Sequence, residues 1–139
     1  MANIVITRAA KEDAPYIEEK LKNYLLDAAD ARWQDFFVLK ADGKTVSFAR
    51  ILDRGDYVEI ASLGVDYYHR DKGYGVMMLK FIAEEAKKQF PSKKIYGVTH
   101  RPGFLKKIGF VESEEEPEEL KIKQDNSKDP SKVKIMRLP

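Results

Sequence analysis

The sequence predicts an α+β fold in which helices cover both faces of a central, mostly antiparallel sheet. Residues 35–65 hold three strand-like segments in a row, joined by short turns, which indicates an antiparallel meander. A long amphipathic helix is predicted over residues 74–89. The apolar strand after it, residues 95–99, should lie parallel to the strand before it, because a helical crossover joins the two. At 139 residues the chain fits one domain, residues 1–139.

The first elements are a strand and a helix. Residues 3–7 alternate around two isoleucines and predict a strand. A helix is predicted to begin near Lys11, with Pro15 suited to its first turn. Its expected buried stripe consists of Ile17, Leu21, Tyr24, Leu25 and Ala28. Residues 27–34 are compatible with either a second short helix or a loop.

The meander follows, and its three strands are predicted over residues 35–40, 45–52 and 57–65. Asp42-Gly43 is a tight-turn dipeptide, and residues 53–56 make the second turn. The third strand carries small and apolar residues along most of its length, which is typical of a strand inside a sheet.

The last third of the chain contains shorter elements. A short helix is predicted over residues 101–108, and residues 112–119 form an acidic run that we interpret as a solvated loop. Residues 120–123 and 133–138 are predicted as two strands of an exposed hairpin at the sheet edge. Such a hairpin could pair across a homodimer.

Composition excludes several classes of function. The net charge of +2 from 25 basic and 23 acidic residues gives no overall field for nucleic acid or membranes. With no cysteine and two histidines, the sequence predicts neither a disulfide framework nor a metal site. The N-terminus lacks the pattern of a signal peptide, so we expect a cytoplasmic protein.

One junction predicts an anion site. The strand at residues 57–65 is followed by a polar turn, by Gly73 and Gly75, and then by the long helix. A helix N-terminus presents unpaired backbone N–H groups and a partial positive charge to an anion. The dinucleotide fingerprint is excluded because Met78 stands where its third glycine belongs, and the Walker pattern is absent from the sequence.

The same junction resembles motif A of the GNAT superfamily of N-acetyltransferases, whose pattern is Gln/Arg-x-x-Gly-x-Gly/Ala. Here that pattern reads Arg70-Asp71-Lys72-Gly73-Tyr74-Gly75. Residues 104–110, which end in Lys107-Ile108-Gly109-Phe110, are similar to the family's motif B. The order of elements agrees from residue 3 to about residue 111, which is most of the chain.

The resemblance implies acetyl-CoA as the cofactor and acyl donor. Backbone amides of residues 72–75 would bind its pyrophosphate, with charge from Arg70 or Lys72. The strand carrying Leu63 and Val65 would splay from its parallel neighbour and receive the pantetheine arm. The amide of Leu63 would act as oxyanion donor. The implied cofactor-binding residues are therefore Leu63, Val65, Arg70, Asp71, Lys72, Gly73, Tyr74 and Gly75.

Glu59 is the candidate catalytic base. An alkylammonium has a pKa of about 10.4, so its proton must be removed before it can attack a thioester. Some family members use a Glu at this position of the strand. The alternative is a Glu that only forms a salt bridge, and we weigh the two interpretations equally. Asp66, past the end of the strand, is a weaker candidate.

Leu105 departs from the family pattern. Many members carry a Tyr here, which protonates the departing thiolate, and leucine cannot do so. We therefore carry two hypotheses. The first is an N-acetyltransferase that acts on a primary amine, of a small molecule or an amino acid, by direct attack in a ternary complex. The second is a non-catalytic acyl-CoA-binding module that serves as a sensor or interaction domain.

Overall fold

A mixed seven-stranded sheet forms the centre of the computed structural model, which describes residues 3–139. Its strands follow the order β1-β2-β3-β4-β5-β7-β6. They are β1 (Ile4–Arg8), β2 (Phe36–Ala41), β3 (Lys44–Asp53), β4 (Tyr57–Val65), β5 (Lys94–Thr99), β6 (Val111–Glu112) and β7 (Lys134–Leu138). The α-helices within the described range are α1 (Ala14–Asn23), α2 (Tyr74–Gln89), α3 (Pro102–Lys106) and α4 (Glu118–Asp125). Neighbouring strands are antiparallel except β4 and β5, which are parallel. The predicted fold class is confirmed.

Helix α2 covers one face of the sheet. Its buried residues recur at helical spacing, so one side of the helix faces the sheet throughout its length. They are Tyr74, Met78, Leu79, Ile82, Ala83 and Ala86. These side chains belong to the largest core cluster, together with Val58 and Ile60 of β4. The side chains of Val58 and Ile60 therefore mark the α2 face of β4.

Helices α1 and α4 cover the opposite face. Ile17 and Leu21 of α1 pack with Phe48 of β3. Leu120 of α4 packs with Tyr57 of β4. Since side chains alternate along a strand, Glu59 points to this second face, two residues after Tyr57. We refer to it below as the α1/α4 face.

The predicted C-terminal hairpin is wrong. Residues 120–123, expected as a strand, lie in helix α4, and β7 pairs with β5 on one side and β6 on the other. The helix begins after Pro117, with Glu118 and Glu119 in its first turn, where carboxylates favour the helix dipole. β7 is therefore not a free edge, and the expectation of a homodimer loses the hairpin on which it rested.

The first helix is shorter than expected. It ends at Asn23, and Leu25 adopts a left-handed conformation with φ 53°. Leu25 is consequently 91% exposed and Ala28 is also exposed, so neither belongs to the buried stripe. Leu26 packs against the core in place of Leu25. Of the two structures expected for residues 27–34, a short helix or a loop, the chain adopts the loop, which ends in a short 3-10 turn, Trp33–Asp35.

Gly64 is a position where the packing tolerates no side chain. A Cβ atom there would lie 2.5 Å from Cζ of Phe48 and 2.9 Å from Cδ1 of Leu26. We expect Gly64→Ala to lower the free energy of unfolding by about 1–3 kcal/mol, the usual cost of overpacking a core. Urea denaturation of this variant and the wild type measures the difference.

Gly103→Ala is the matched control, because a Cβ at Gly103 meets no atom within 4 Å and alanine suits its helix. Its stability should equal or exceed that of the wild type. Equal stability of the wild type and Gly64→Ala would show that Phe48 moves freely, contrary to this packing.

Within residues 3–139, none of the helices has the length and apolarity that crossing a bilayer requires.

Candidate active site

The parallel strands β4 and β5 separate part of the way along the sheet. Their ladder joins residues 57–59 to residues 94–96, and Glu59 opposite Tyr96 is the last pair described. β4 continues to Val65 without a further described pair to β5, while β5 pairs with β7 on its other edge from Ile95 to Thr99. A cleft therefore opens between the two strands beyond Glu59. The predicted splay of this pair is confirmed.

A β-bulge lies where the cleft opens. Phe48 pairs with Gly64 and Arg50 with Ala61, so two residues of β4 oppose one residue of β3. The two are Ser62, with the left-handed φ of 59°, and Leu63. A bulge re-aims backbone groups next to it, and the candidate oxyanion donor, the Leu63 amide, belongs to it. The Leu63 side chain packs against the α2 core.

The glycine loop between β4 and α2 has the shape of an anion cradle. Gly73 precedes the first turn of α2 with φ 84°, a conformation that L-residues with a Cβ rarely adopt. A Cβ at Gly73 would meet no atom within 4 Å, so the space beside it is open. Asp71 also has a positive φ, 64°, and its side chain is exposed. The loop and the N-terminus of a 16-residue helix thus face open space, as phosphate binding requires.

Gly75 allows close packing beside the loop. A Cβ there would lie 3.2 Å from Val65 and 3.3 Å from Phe104, so this glycine lets α2 approach β4 and α3 closely. The side chain of Tyr74 is buried in the α2 core, which leaves only its backbone amide for an anion.

The two candidate phosphate-binding cations differ in freedom. The guanidinium of Arg70 lies over the rings of Tyr24 and Tyr67, at 4.9 and 5.4 Å, and its Nε donates to the carbonyl of Val65 at 3.3 Å. Lys72 is exposed. Arg70 therefore stabilises the end of β4, and Lys72 is the side chain with freedom to meet a phosphate.

Glu59 lies on the α1/α4 face, fully buried and paired with two cations. Its Oε1 accepts from Arg54 at 3.1 Å, and its Oε2 accepts from Lys123 at 2.5 Å. Of the two interpretations of Glu59, the structure displays the salt-bridged one. A role as base would require Lys123 to withdraw from Oε2.

Asp27 joins this pair from the loop after α1. Its Oδ2 lies 2.6 Å from Nζ of Lys123 and 3.4 Å from the guanidinium of Arg50. Burial would raise the pKa of Asp27, but the hydrogen bond and charge of Lys123, the Ala29 amide and the charge of Arg50 outweigh it and hold that pKa below its usual value. The carboxylate is therefore charged at neutral pH.

Arg50 ties the loop to the bulge. It is completely buried, and its Nε donates to Oγ of Ser62 at 2.8 Å. Its other nitrogens donate to the carbonyls of Asp27 and Ala29. The Ser62 hydroxyl in turn donates to the Asp27 carbonyl at 2.5 Å. Asp27 is thus fixed directly over the residue that precedes Leu63.

Asp66 accepts several hydrogen bonds that stabilise the turn after β4. Burial would raise its pKa, but hydrogen bonds from His69, the Tyr68 amide and Tyr16, with the charge of Lys20, hold the pKa of this carboxyl below its usual value. A carboxylate with that many donors is a poor proton acceptor. Within the described residues, no group of three or more His, Asp or Glu side chains is arranged to hold a metal ion.

Leu105 packs against β5. Its Cδ2 would lie 3.0 Å from a Cβ on Gly97, and it adjoins the α2 core. Among nearby side chains with a proton to donate, Tyr67 and His100 lie at the surface. Tyr96 is buried, with its hydroxyl donating to the carbonyl of Glu115.

Sequence reasoning missed four polar residues of the site, namely Asp27, Arg50, Ser62 and Lys123. Arg50 carried a usable signal, because a charged residue within an apolar strand is rarely buried without partners. The left-handed conformation of Ser62 and the position of Lys123 follow from tertiary structure.

Comparison with a family model matches residues 32–112, more than half of the chain, to the acetyltransferase (GNAT) domain. A search of curated protein sequences gave no match.

Solved structures similar to this chain share its fold at low sequence identity. N-acetylglutamate synthase from Neisseria gonorrhoeae, complexed with coenzyme A and N-acetyl-glutamate, has a TM-score of 0.77 at 23% identity. The match covers 100% of this chain but 36% of the synthase, so the chain spans about a third of that enzyme.

Two further structures match along nearly their whole length. Rv2747 from Mycobacterium tuberculosis, solved with CoA, has a TM-score of 0.74 at 21% identity. The match covers 96% of this chain and 98% of the Rv2747 chain. The ribosomal-protein-S18-alanine N-acetyltransferase from Escherichia coli has a TM-score of 0.69 at 19% identity. The match covers 99% of this chain and 94% of the E. coli enzyme.

Proposed function

Because this chain belongs to the GNAT family of acetyltransferases, we propose that it moves an acetyl group from acetyl-CoA to a primary amine of a small molecule or an amino acid. The match of residues 32–112 to the family model confirms the resemblance expected from the sequence. The observation that carries the proposal is the junction of a bulged, splayed strand with the open glycine loop at the N-terminus of α2.

The residues of the chain fit the donor. The backbone amides of residues 72–75 bind the pyrophosphate at the open side of Gly73, with Lys72 adding charge. The cleft between β4 and β5 leaves strand edges that can hydrogen-bond the pantetheine arm. When bound, acetyl-CoA supplies a thioester whose carbonyl carbon joins the amine nitrogen while its bond to sulfur breaks.

Two groups of the chain act on the reaction, the Leu63 amide and Glu59. The Leu63 amide stabilises the negative charge that develops on the carbonyl oxygen. Glu59 accepts the proton of the ammonium group, directly or through a water, once its Oε2 is released from Lys123. Both substrates are held together, so positioning supplies much of the rate.

No acid is required at position 105. A thiol such as that of CoA has a pKa near that of cysteine, about 8.5, so its thiolate leaves readily at neutral pH. The apolar packing of Leu105 against β5 is nevertheless the observation that favours the second candidate, an acyl-CoA-binding module without turnover.

The similar structures differ in the size of the acceptor that their descriptions imply. The N. gonorrhoeae enzyme is described with an N-acetylated amino acid, whereas the E. coli enzyme is described as acting on a ribosomal protein. We propose the small acceptor because the polar groups over the cleft are few and lie within a short stretch of the α1/α4 face, from Glu59 to Ser62.

Thiol release from acetyl-CoA in the presence of primary amines tests the proposal, beside a thermal shift with CoA. We expect CoA to stabilise the fold by about 2.7 kcal/mol at a hundredfold excess over its Kd. Thiol release should require both acetyl-CoA and an amine. Stabilisation by CoA without release from any amine, at several pH values, would favour the binding module. No stabilisation would contradict both.

A further inference from the structure

Lys123 reaches from α4 to two carboxylates that lie far from it in the sequence. Its Nζ lies 2.6 Å from Asp27 and 2.5 Å from Glu59. The side chain of Lys123 is 31% exposed, whereas that of Glu59 is 1% exposed. The ammonium group of a flexible alkyl chain thus enters a mostly buried site from the solvent side. We call the space between Asp27 and Glu59 the ammonium slot.

The slot lies on the α1/α4 face of β4, and the candidate base is part of it. Glu59 forms one side of it, and Asp27 forms the other. The Asp27 carbonyl accepts from the hydroxyl of Ser62, the residue before Leu63. An ammonium group in the slot therefore lies on the α1/α4 face, beside the cleft and close to the bulge.

Both carboxylates are held in place without Lys123. Arg54 donates to Glu59 through Nη2 at 3.1 Å. The Ala29 amide donates to Oδ1 of Asp27 at 3.1 Å, and Arg50 holds the carbonyl and the carboxylate of the same residue. The slot would thus keep its shape if Lys123 swung out. A preorganised site of this kind loses little entropy when a ligand enters.

We propose that the acceptor binds its ammonium group in the ammonium slot, in the place that Lys123 fills in this structure. This inference rests on the proposed function and narrows it. The acceptor is a primary amine on an unbranched alkyl chain, such as a polyamine or a lysine side chain. An α-amino group fits poorly, because its own carboxylate, one carbon away, would face Asp27 and Glu59 and be repelled.

Lys123 then acts as an internal competitor. A tethered ammonium group has an effective concentration in the millimolar range, so it occupies the slot most of the time. When a binding-competent state is populated about one-tenth of the time, apparent affinity falls about tenfold. Removing Lys123 should therefore strengthen binding of alkylamines.

The experiment fills the slot of a Lys123→Ala variant with n-butylamine, which reproduces the missing side chain. We expect butylamine to raise the thermal midpoint of this variant by about 3 °C or more, and to raise that of the wild type by less at the same concentration. Lys121→Ala, on the exposed side of the same helix, is the control variant. Butan-1-ol, which carries no charge, is the control ligand. If the variant does not fold unaided, refolding it with and without butylamine provides the same comparison.

The kinetic arm compares acceptors. In Lys123→Ala the KM for butylamine should fall about tenfold relative to the wild type, while the KM for L-alanine should not fall. A Lys123→Met variant keeps an unbranched stem in the slot, so butylamine should not stabilise it.

The results separate the proposals. An equal response of Lys123→Ala and Lys121→Ala to butylamine would overturn the slot, as would stabilisation with an unchanged KM. A fall of the KM for L-alanine as large as that for butylamine would overturn the alkylamine preference. If butylamine stabilises Lys123→Ala but no variant releases thiol with any amine, the slot stands as a binding site and the transfer reaction is contradicted.

Discussion

A Gly73→Glu variant should lose the stabilisation that CoA gives to the wild type. The space beside Gly73 is open, and this is where the pyrophosphate is proposed to bind. A glutamate there brings a side chain and a negative charge to the position of the phosphate, which both blocks and repels it. At a hundredfold excess of CoA over its wild-type Kd, the expected loss is about 2.7 kcal/mol of ligand-induced stability. Thermal shifts with and without CoA measure it.

The β2–β3 turn provides a matched control for this variant. Gly43 has φ 81°, close to the 84° of Gly73, and a Cβ at either position meets no atom within 4 Å. Both Gly→Glu changes therefore impose the same left-handed strain, about 1–2 kcal/mol. Gly43→Glu should be less stable without ligand but respond fully to CoA. A full CoA response in Gly73→Glu would place the phosphate site elsewhere.

Strong local signals made part of the fold predictable. The predicted bounds of β4, residues 57–65, and of α2, residues 74–89, agree with the structure. β4 is bounded by a turn on each side, and α2 has sustained helical periodicity and a glycine before its first residue. Local propensity, periodicity and tertiary packing agree in these elements, and such agreement is what makes a boundary readable from sequence.

The α4 segment shows where such reading fails. Residues 120–123 alternate apolar and basic residues, and four residues of alternation cannot distinguish a strand from a turn of helix. Leu120 is buried against Tyr57, while Ile122 is 49% exposed, so only one apolar residue faces the core. Pro117 followed by two glutamates is a helix-start signal, and it favours a helix over a strand for residues 120–123.

The site also has one part that the sequence predicts and one part that it does not. The glycine loop is a local motif, so its position could be read from the sequence. The ammonium slot joins Lys123 to Asp27 and Glu59, which precede it by 96 and 64 residues along the chain. Contacts at that separation depend on the packing of α4 over β4, and a single sequence carries no trace of them. The bulge at Ser62 could not be predicted from the sequence either, because serine has no preference for the left-handed conformation that Ser62 adopts.

Removal of the Glu59 side chain should strongly destabilise the fold. In Glu59→Ala, Arg54 and Lys123 lose their shared carboxylate, and breaking a buried ion pair costs about 3–5 kcal/mol. Urea denaturation checks this. Glu112→Ala is the control, since Glu112 pairs with Lys134 at 3.7 Å on the surface and should change stability by less than about 1 kcal/mol. A similar loss in both variants would contradict the burial of the Glu59 pair.

Glu59→Gln, which keeps the shape of the side chain, separates the two roles of Glu59 in catalysis. If Glu59 accepts the ammonium proton, kcat should fall about 10²–10⁴-fold. If Glu59 only holds an ammonium group in the slot, KM for alkylamines should rise while kcat stays within about tenfold of the wild type. Both oxygens of Glu59 are paired in this structure, so a base must first lose Lys123 from Oε2. In a Lys123→Ala background Glu59→Gln should lower kcat by the same factor, because a saturating amine has already displaced Lys123 in the wild type. A much smaller loss in that background would contradict Glu59 as the base.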